Sequence, residues 1–240
     1  MRLSRQLPQI SSIKDEKKIV DGFPLNKGYT YHTLWPTLML SVQWGEYKEY
    51  EDAILEDIQK DAKIGNIDSN VGAGLKANLY ESKMDYFDTS TCYAVQYLKE
   101  WLKKQFIFML TDFFDSDYWK IGSLTLKTEP LEKSIVDIHE SWAHVTINGG
   151  YHQYHYHSNC SWSGIYYVKC GDSENNRNLW YRPPTSTFID DFNRYESGLN
   201  YSIRPKDGLV VFFPSHMPHE AEPYDGEGER VVIGFNLRQG

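Results

Sequence analysis

The sequence predicts a mainly β protein, an antiparallel β-sandwich or distorted barrel whose N-terminal helices cover one sheet. Three observations lead there. From about Trp119 onward the chain breaks into short runs rich in Val, Ile, Tyr, Phe and Trp, separated by Gly, Pro, Asn and Asp. Ahead of them lie two stretches with helical periodicity. Finally, 240 residues suffice to bury a core without staples, so the three cysteines need not pair.

The elements follow in order. Residues 1–36 read as loops and short strands, and "TLMLSVQW" (37–44) as a strand. Between Tyr47 and Lys63 the apolar residues Leu55, Ile58 and Ala62 recur at helical spacing. "KIGNIDSNVGAGLK" then ends that helix in a loop. A second helix runs from about Thr91 to Phe114. Its stripe of Leu98, Leu102, Phe106, Met109 and Phe113 packs against a sheet, while Lys99, Lys103 and Lys104 lie off it. The strands are "SWAHVTIN", "GIYYVK", "NLWYRPP", "LNYSIRP", "GLVVFFPS" and "ERVVIGFNL". No repeat, low-complexity tract or linker interrupts them. The expected organisation is one domain over 1–240, with 1–118 as helix-containing support and 119–240 as the main β core.

Composition narrows the function. A net charge of −8 with acids spread along the chain argues against a general nucleic-acid surface. No apolar run approaches a membrane span, and no apolar segment follows Arg2 and Arg5, so a cytoplasmic protein is expected. Cys92, Cys160 and Cys170 have no metal-binding spacing.

The chemistry concentrates in "GGYHQYHYHSNCSWSGIYYV" (149–168). Side chains two apart on an extended segment share a face, so His155 and His157 point into one cavity and Tyr156 points away. His152 is out of phase and reads as a rim or second-tier residue. Two imidazoles are half a site. "GLVVFFPSHMPHEAEP" supplies His216 and His219 between prolines, and of these His219 is favoured. Arg230 opens the following strand. A nitrogen-rich set suits iron, zinc, copper or nickel better than magnesium or calcium, and the nearby Arg suits a carboxylate. Histidines that merely complete hydrogen bonds at strand ends remain the plain alternative.

In this order, "TINGGYHQYHYHSNCSWSGIYYV" after Trp142, "KDGLVVFFPSHMPHEAEP" and "ERVVIGFNL" resemble the double-stranded β-helix (jelly-roll, cupin-like) oxygenases that use Fe(II) and 2-oxoglutarate, in particular a bacterial and phage-type group with an HxH motif. The resemblance covers roughly the last 100 residues. It implies iron held by His155, His157 and His219. It also implies Arg230 on the C5 carboxylate of 2-oxoglutarate, with Tyr167 donating a hydrogen bond to the same end. The expected reaction hydroxylates a peptide side chain or small organic substrate with O2, releasing succinate and CO2. If the chain is phage-encoded, the host cytoplasm is its place.

One position departs from the wider superfamily. His157 stands where that superfamily has Asp or Glu, so the iron keeps more positive charge; Glu220, Asp190 or Asp191 are the alternative carboxylates. Trp162, Trp180, Tyr181 and Arg182 are candidates for the substrate rim. The stretch "NRNLWYRPPTSTFIDDFNRYESGLN" is long enough to be a substrate loop, in which Arg177, Arg182 and Arg194 would meet an acidic group. Competing readings are a cupin-like three-histidine metalloenzyme that does not use 2-oxoglutarate, a non-enzymatic β-sandwich binding module and hydrolytic zinc chemistry. A homodimer is compatible with all of them.

Overall fold

A computed structural model of the chain describes residues 17–20, 23–26, 37–64, 76–115, 136–173, 176–181 and 200–239. The chain divides into two compact units at Thr37/Leu38. In the first, β1 (Lys17–Val20) and β2 (Phe23–Asn26) form an antiparallel hairpin with Val20 opposite Phe23. Every other described element belongs to the second unit, which begins at Leu38.

That unit runs β3 (Leu40–Gln43), α1 (Tyr47–Ile64), β4 (Lys76–Glu81), α2 (Tyr86–Thr89), α3 (Tyr93–Asp115), β5 (Val136–His155), β6 (Trp162–Lys169), β7 (Asn178–Tyr181), β8 (Asn200–Ile203), β9 (Leu209–Pro214), β10 (His219–Ala221) and β11 (Arg230–Gln239). Its strands join in the order β3-β9-β6-β11-β5-β10-β7-β8, with β4 on the free side of β5, and every pairing is antiparallel. The sheet curls into an open half-barrel, the double-stranded β-helix architecture. Among the described residues no helix is long and apolar enough to cross a membrane.

β5 links the two halves because it is 20 residues long. Its residues 136–146 pair with β11, and its end pairs with β10. Between them Gly149 takes φ +74°, a conformation that needs no Cβ. A bulge follows, since His219 faces His155 but Ala221 faces His152, so β5 spends three residues where β10 spends two.

Alternation sorts the side chains onto two faces. Tyr166, Val168, Val210, Phe212, Ile233 and Phe235 turn toward the helices, where they meet Leu98, Leu102 and Phe106 of α3. The helical stripe read from the sequence is therefore a core stripe, with Met109 half-buried at its margin; the side chain of Phe113 lies outside the described residues. On α1 the buried centre is Ile54 and Ile58, and Leu55 and Ala62 flank it. Each such aliphatic or aromatic side chain contributes about 1.5–3 kcal/mol when fully buried. The opposite face, inside the half-barrel, packs Ile165, Tyr167, Trp180, Val211, Phe213 and Met217. Tyr166 and Tyr167 are both fully buried, on opposite faces of β6.

Candidate metal centre

Three histidines meet at the mouth of the half-barrel. His155 ends β5, His157 follows it, and His219 opens β10 directly opposite His155. One ring nitrogen from each lies within 4.8 Å of the others. His157 stays on the cavity side after its strand ends because its backbone N–H donates to the Ser215 carbonyl (3.0 Å). Prolines fix the remote partner: Met217 closes a turn onto the Pro214 carbonyl, and the Pro218 carbonyl accepts from Tyr181. His219 is 3% exposed, whereas His216, three residues earlier, is on the surface.

The hydrogen bonds set the tautomers. Nδ1 of His219 lies 3.0 Å from the Met217 carbonyl and Nδ1 of His155 lies 2.6 Å from the Gln153 carbonyl. A carbonyl only accepts, so both Nδ1 atoms carry hydrogen and both Nε2 atoms present a lone pair in the neutral ring. Nε2 of His157 and Nε2 of His219 are 3.3 Å apart. Two nitrogens bound to one metal at about 2.0–2.1 Å have that separation at an angle of roughly 105–110°. Burial, followed by the neighbouring His155 and His144, pushes His157 down to about 4. Burial first, then His155 and His157, holds His219 well below the ordinary imidazole range. Both are neutral at physiological pH, so a metal ion displaces no proton from their lone pairs. The donor set fits a borderline divalent transition metal.

Arg230, the first residue of β11, sits deeper in the same cavity and is 2% exposed. Its Nη1 donates to Asn176 Oδ1 (2.9 Å) and to the Glu222 carbonyl (3.3 Å). Burial lowers its pKa, but a guanidinium remains charged. Among the described residues no carboxylate lies within ion-pair distance of it, and no acidic side chain lines the cavity. Arg230 thus brings a buried cation to a cavity whose lining has no acid, an environment that favours an anion.

The other residues singled out in the sequence fall in different places. Tyr167 lies one layer behind the cavity wall, donating to Asn178 Oδ1 (2.7 Å), and Asn178 itself lines the cavity. Burial keeps the Tyr167 phenol protonated. Trp162 packs edge-on against Phe106 on the helix side (5.3 Å between ring centres). Trp180 is buried inside against Phe213. Tyr181 lies on the outer face of β7, beside Tyr154 and hydrogen bonded to Glu220. Glu220 therefore points away from His219 on the short strand β10. Arg177 pairs with Glu222 at 3.1 Å. Arg182, Asp190, Asp191 and Arg194, with most of the proposed substrate loop, lie outside the described residues.

His152 takes the second-tier place expected of it, but not with the phase that periodicity gives. The β5 bulge reverses its phase, so it enters the cavity and stacks on His155 with ring centres 3.9 Å apart. His144, also lining the cavity, bonds Glu81 at 2.6 Å across the β4–β5 pair. Trp142 stacks on His157 (5.4 Å, 25° between planes) and is itself backed by Gly234, where a Cβ would come 2.5 Å from the indole. Gly234→Ala is accordingly expected to cost about 1–3 kcal/mol of stability. Because the displaced ring is the one that braces His157, metal affinity should fall as well, which chemical denaturation and metal titration of the same variant would record separately.

The comparisons agree with this geometry. A sequence profile of a family described as "Putative 2OG-Fe(II) oxygenase" matches residues 140–236. No curated protein matches the sequence. Among solved structures, a prolyl-4-hydroxylase of Pseudomonas putida is similar over 85% of this chain and 94% of its own, at 12% identity and a TM-score of 0.53. The non-haem alpha-ketoglutarate-dependent epimerase SnoN of nogalamycin biosynthesis is similar over 84% and 76%, at 8% identity and a TM-score of 0.57. At such identities the likeness is one of fold. The chain has the fold of the Fe(II)/2-oxoglutarate oxygenase superfamily, with a histidine-rich site able to hold a metal ion.

Proposed function

We propose that the chain is a mononuclear non-haem metalloenzyme whose His155, His157 and His219 hold Fe(II), and that it performs oxygen chemistry on an organic substrate. The observation that carries this reading is the convergence of three ring nitrogens within 4.8 Å at the open end of the half-barrel. In its finer form, 2-oxoglutarate is the cosubstrate and a C–H bond of a peptide or small molecule is hydroxylated. Support comes from the buried Arg230 in the same cavity and from the fold likeness. Bound there, iron and the oxoacid supply O2 activation, with succinate and CO2 released and hydroxyl delivered to the substrate. The chain's own residues orient and exclude: Arg230 holds the distal carboxylate, Thr146 and Asn178 offer polar edges, and Trp142 and Phe213 keep water from the histidine rings.

A second reading keeps the metal and omits the oxoacid. Two observations favour it: the set contains no carboxylate, unlike the two-histidine-one-carboxylate pattern of Fe(II) oxygenases, and Arg230 already has two internal acceptors. Anaerobic titration of metal-free protein with Fe(II), then with 2-oxoglutarate, followed by succinate measurement in air, separates the two. One Fe(II) per chain, metal-dependent 2-oxoglutarate binding and succinate release are the expected results. Iron uptake with no affinity for 2-oxoglutarate decides for the second reading, and no iron uptake sinks both.

A further inference from the structure

Trp142 on β5, Gly234 on β11 and Ile165 on β6 line the interior in register, and Phe213 on β9, opposite Ser163 of β6, lines it beside them. Two residues nearer the mouth, each of these strands or its end carries a polar side chain: Glu140, Asn236, Ser163 and Ser215. That step is about 6.6–6.8 Å along a strand. The four form one connected tier. The Ser163 hydroxyl lies 3.1 Å from that of Ser215 and donates to Asn236 Oδ1 (2.8 Å), and Asn236 Nδ2 donates to Glu140 Oε2 (2.7 Å). Ser163, Ser215 and Asn236 are 1–2% exposed, but the Glu140 side chain is 43% exposed. The tier is tied to the metal site at both ends. Ser215 accepts the His157 backbone N–H, and Trp142, next inward from Glu140 on β5, stacks on the His157 ring.

We propose that this tier is a substrate subsite in which Glu140 receives an ammonium or guanidinium group. The proposal rests on the reading of the neighbouring histidines as a metal centre with its substrate at the barrel mouth. Burying three polar side chains is costly unless they are fully bonded to one another. Here each of them has a partner within the tier, and the chain of bonds ends on a single carboxylate, Glu140, beyond a cavity whose own lining has no acid. A carboxylate held this way gives a charge-assisted hydrogen bond to a cationic donor and loses little freedom in doing so. The chain's net charge of −8 favours the approach of cations. His139, whose Nε2 is 3.7 Å from Glu140 Oε2, is the neighbouring basic side chain. The deep end of the cavity, with Arg230, is of opposite preference, so a cationic substrate and an anionic cosubstrate sort to different ends.

The test uses the full chain loaded with Zn(II), at low salt, with binding read by tryptophan fluorescence and NMR shifts. Nα-acetyl-lysinamide and Nα-acetyl-argininamide are titrated against the neutral Nα-acetyl-norleucinamide, and butylamine and methylguanidine against a Lys- and Arg-containing peptide to distinguish a free amine from a peptide side chain. The cationic probes should bind at least tenfold more tightly than the neutral one. Glu140→Gln, which keeps an acceptor for Asn236, should abolish that preference with zinc content unchanged, and Glu140→Asp should restore part of it. Equal binding of charged and neutral probes to the wild-type protein, or an undiminished preference in Glu140→Gln, overturns the proposal. The two readings fail separately: a chain that binds the cations but takes up no metal keeps the subsite and loses the metalloenzyme.

Discussion

Replacing His219 with Ala is expected to abolish stoichiometric metal binding and any turnover while leaving a folded protein. The side chain supplies one of three nitrogens, and it is the buried, remote one that joins β10 to the end of β5. Changes to residues that only orient a ligand cost about 10–100-fold in metal affinity. Removing a ligand from a three-ligand set should exceed that range. The fold should persist because His219 contributes one ring edge against Phe213 and a bond to the Met217 carbonyl, whereas the backbone pairing of β10 with β5 and β7 does not depend on the imidazole. Metal analysis of the purified variant, with circular dichroism beside it, is the measurement. Full metal content in His219→Ala would remove the three-histidine centre from consideration. His216→Ala is the matched control: an exposed ring three residues away should change neither quantity.

How much of this could be read from the sequence differs sharply by element. The amphipathic helices follow from local periodicity, and β6, β9 and β11 are legible as short apolar runs between turn residues. Burial of β6 and β9 on both faces leaves no alternation in the sequence to say which side chains turn inward. His155, His157 and His219 are readable because the HxH pair keeps phase and prolines hold the remote histidine. What defeats the sequence is irregular or collective. A one-residue bulge in β5 reverses the facing of His152, and nothing in "GGYHQYH" marks it. Asn176 and Asn178 gain their roles only from the positions of Arg230 and Tyr167, more than 50 and 11 residues away respectively in the chain. The tier of Glu140, Ser163, Ser215 and Asn236 is assembled from four strands, each contributing an unremarkable polar residue. For the aromatic residues the sequence leaves a choice between packing and the rim, which packing decides. Trp162, Trp180 and Tyr181 are large, attractive rim candidates, yet packing sends them to the helix interface, the inner core and the outer face of the sheet.

Arg230→Met should leave metal binding intact and weaken 2-oxoglutarate binding by roughly 2–5 kcal/mol, about 30-fold at the lower end. The sign follows from where the charge sits. The guanidinium is 2% exposed, and among the described residues it has only neutral acceptors, so it is a desolvated cation short of a counter-charge. A carboxylate arriving beside it gains a charge-assisted bond that a thioether cannot make. The metal-free protein should respond differently. Methionine fills most of the volume; Asn176 Oδ1 and the Glu222 carbonyl lose a donor, but the unfavourable burial of a charge is relieved, so the two effects oppose one another. Stability without ligand should therefore change little, while stabilisation by added 2-oxoglutarate largely disappears. Thermal melting of metal-loaded protein with and without the diacid reads both at once. Equal protection of wild type and variant would mean that Arg230 does not hold the cosubstrate, and the three-histidine centre would then be read as one that works without an oxoacid.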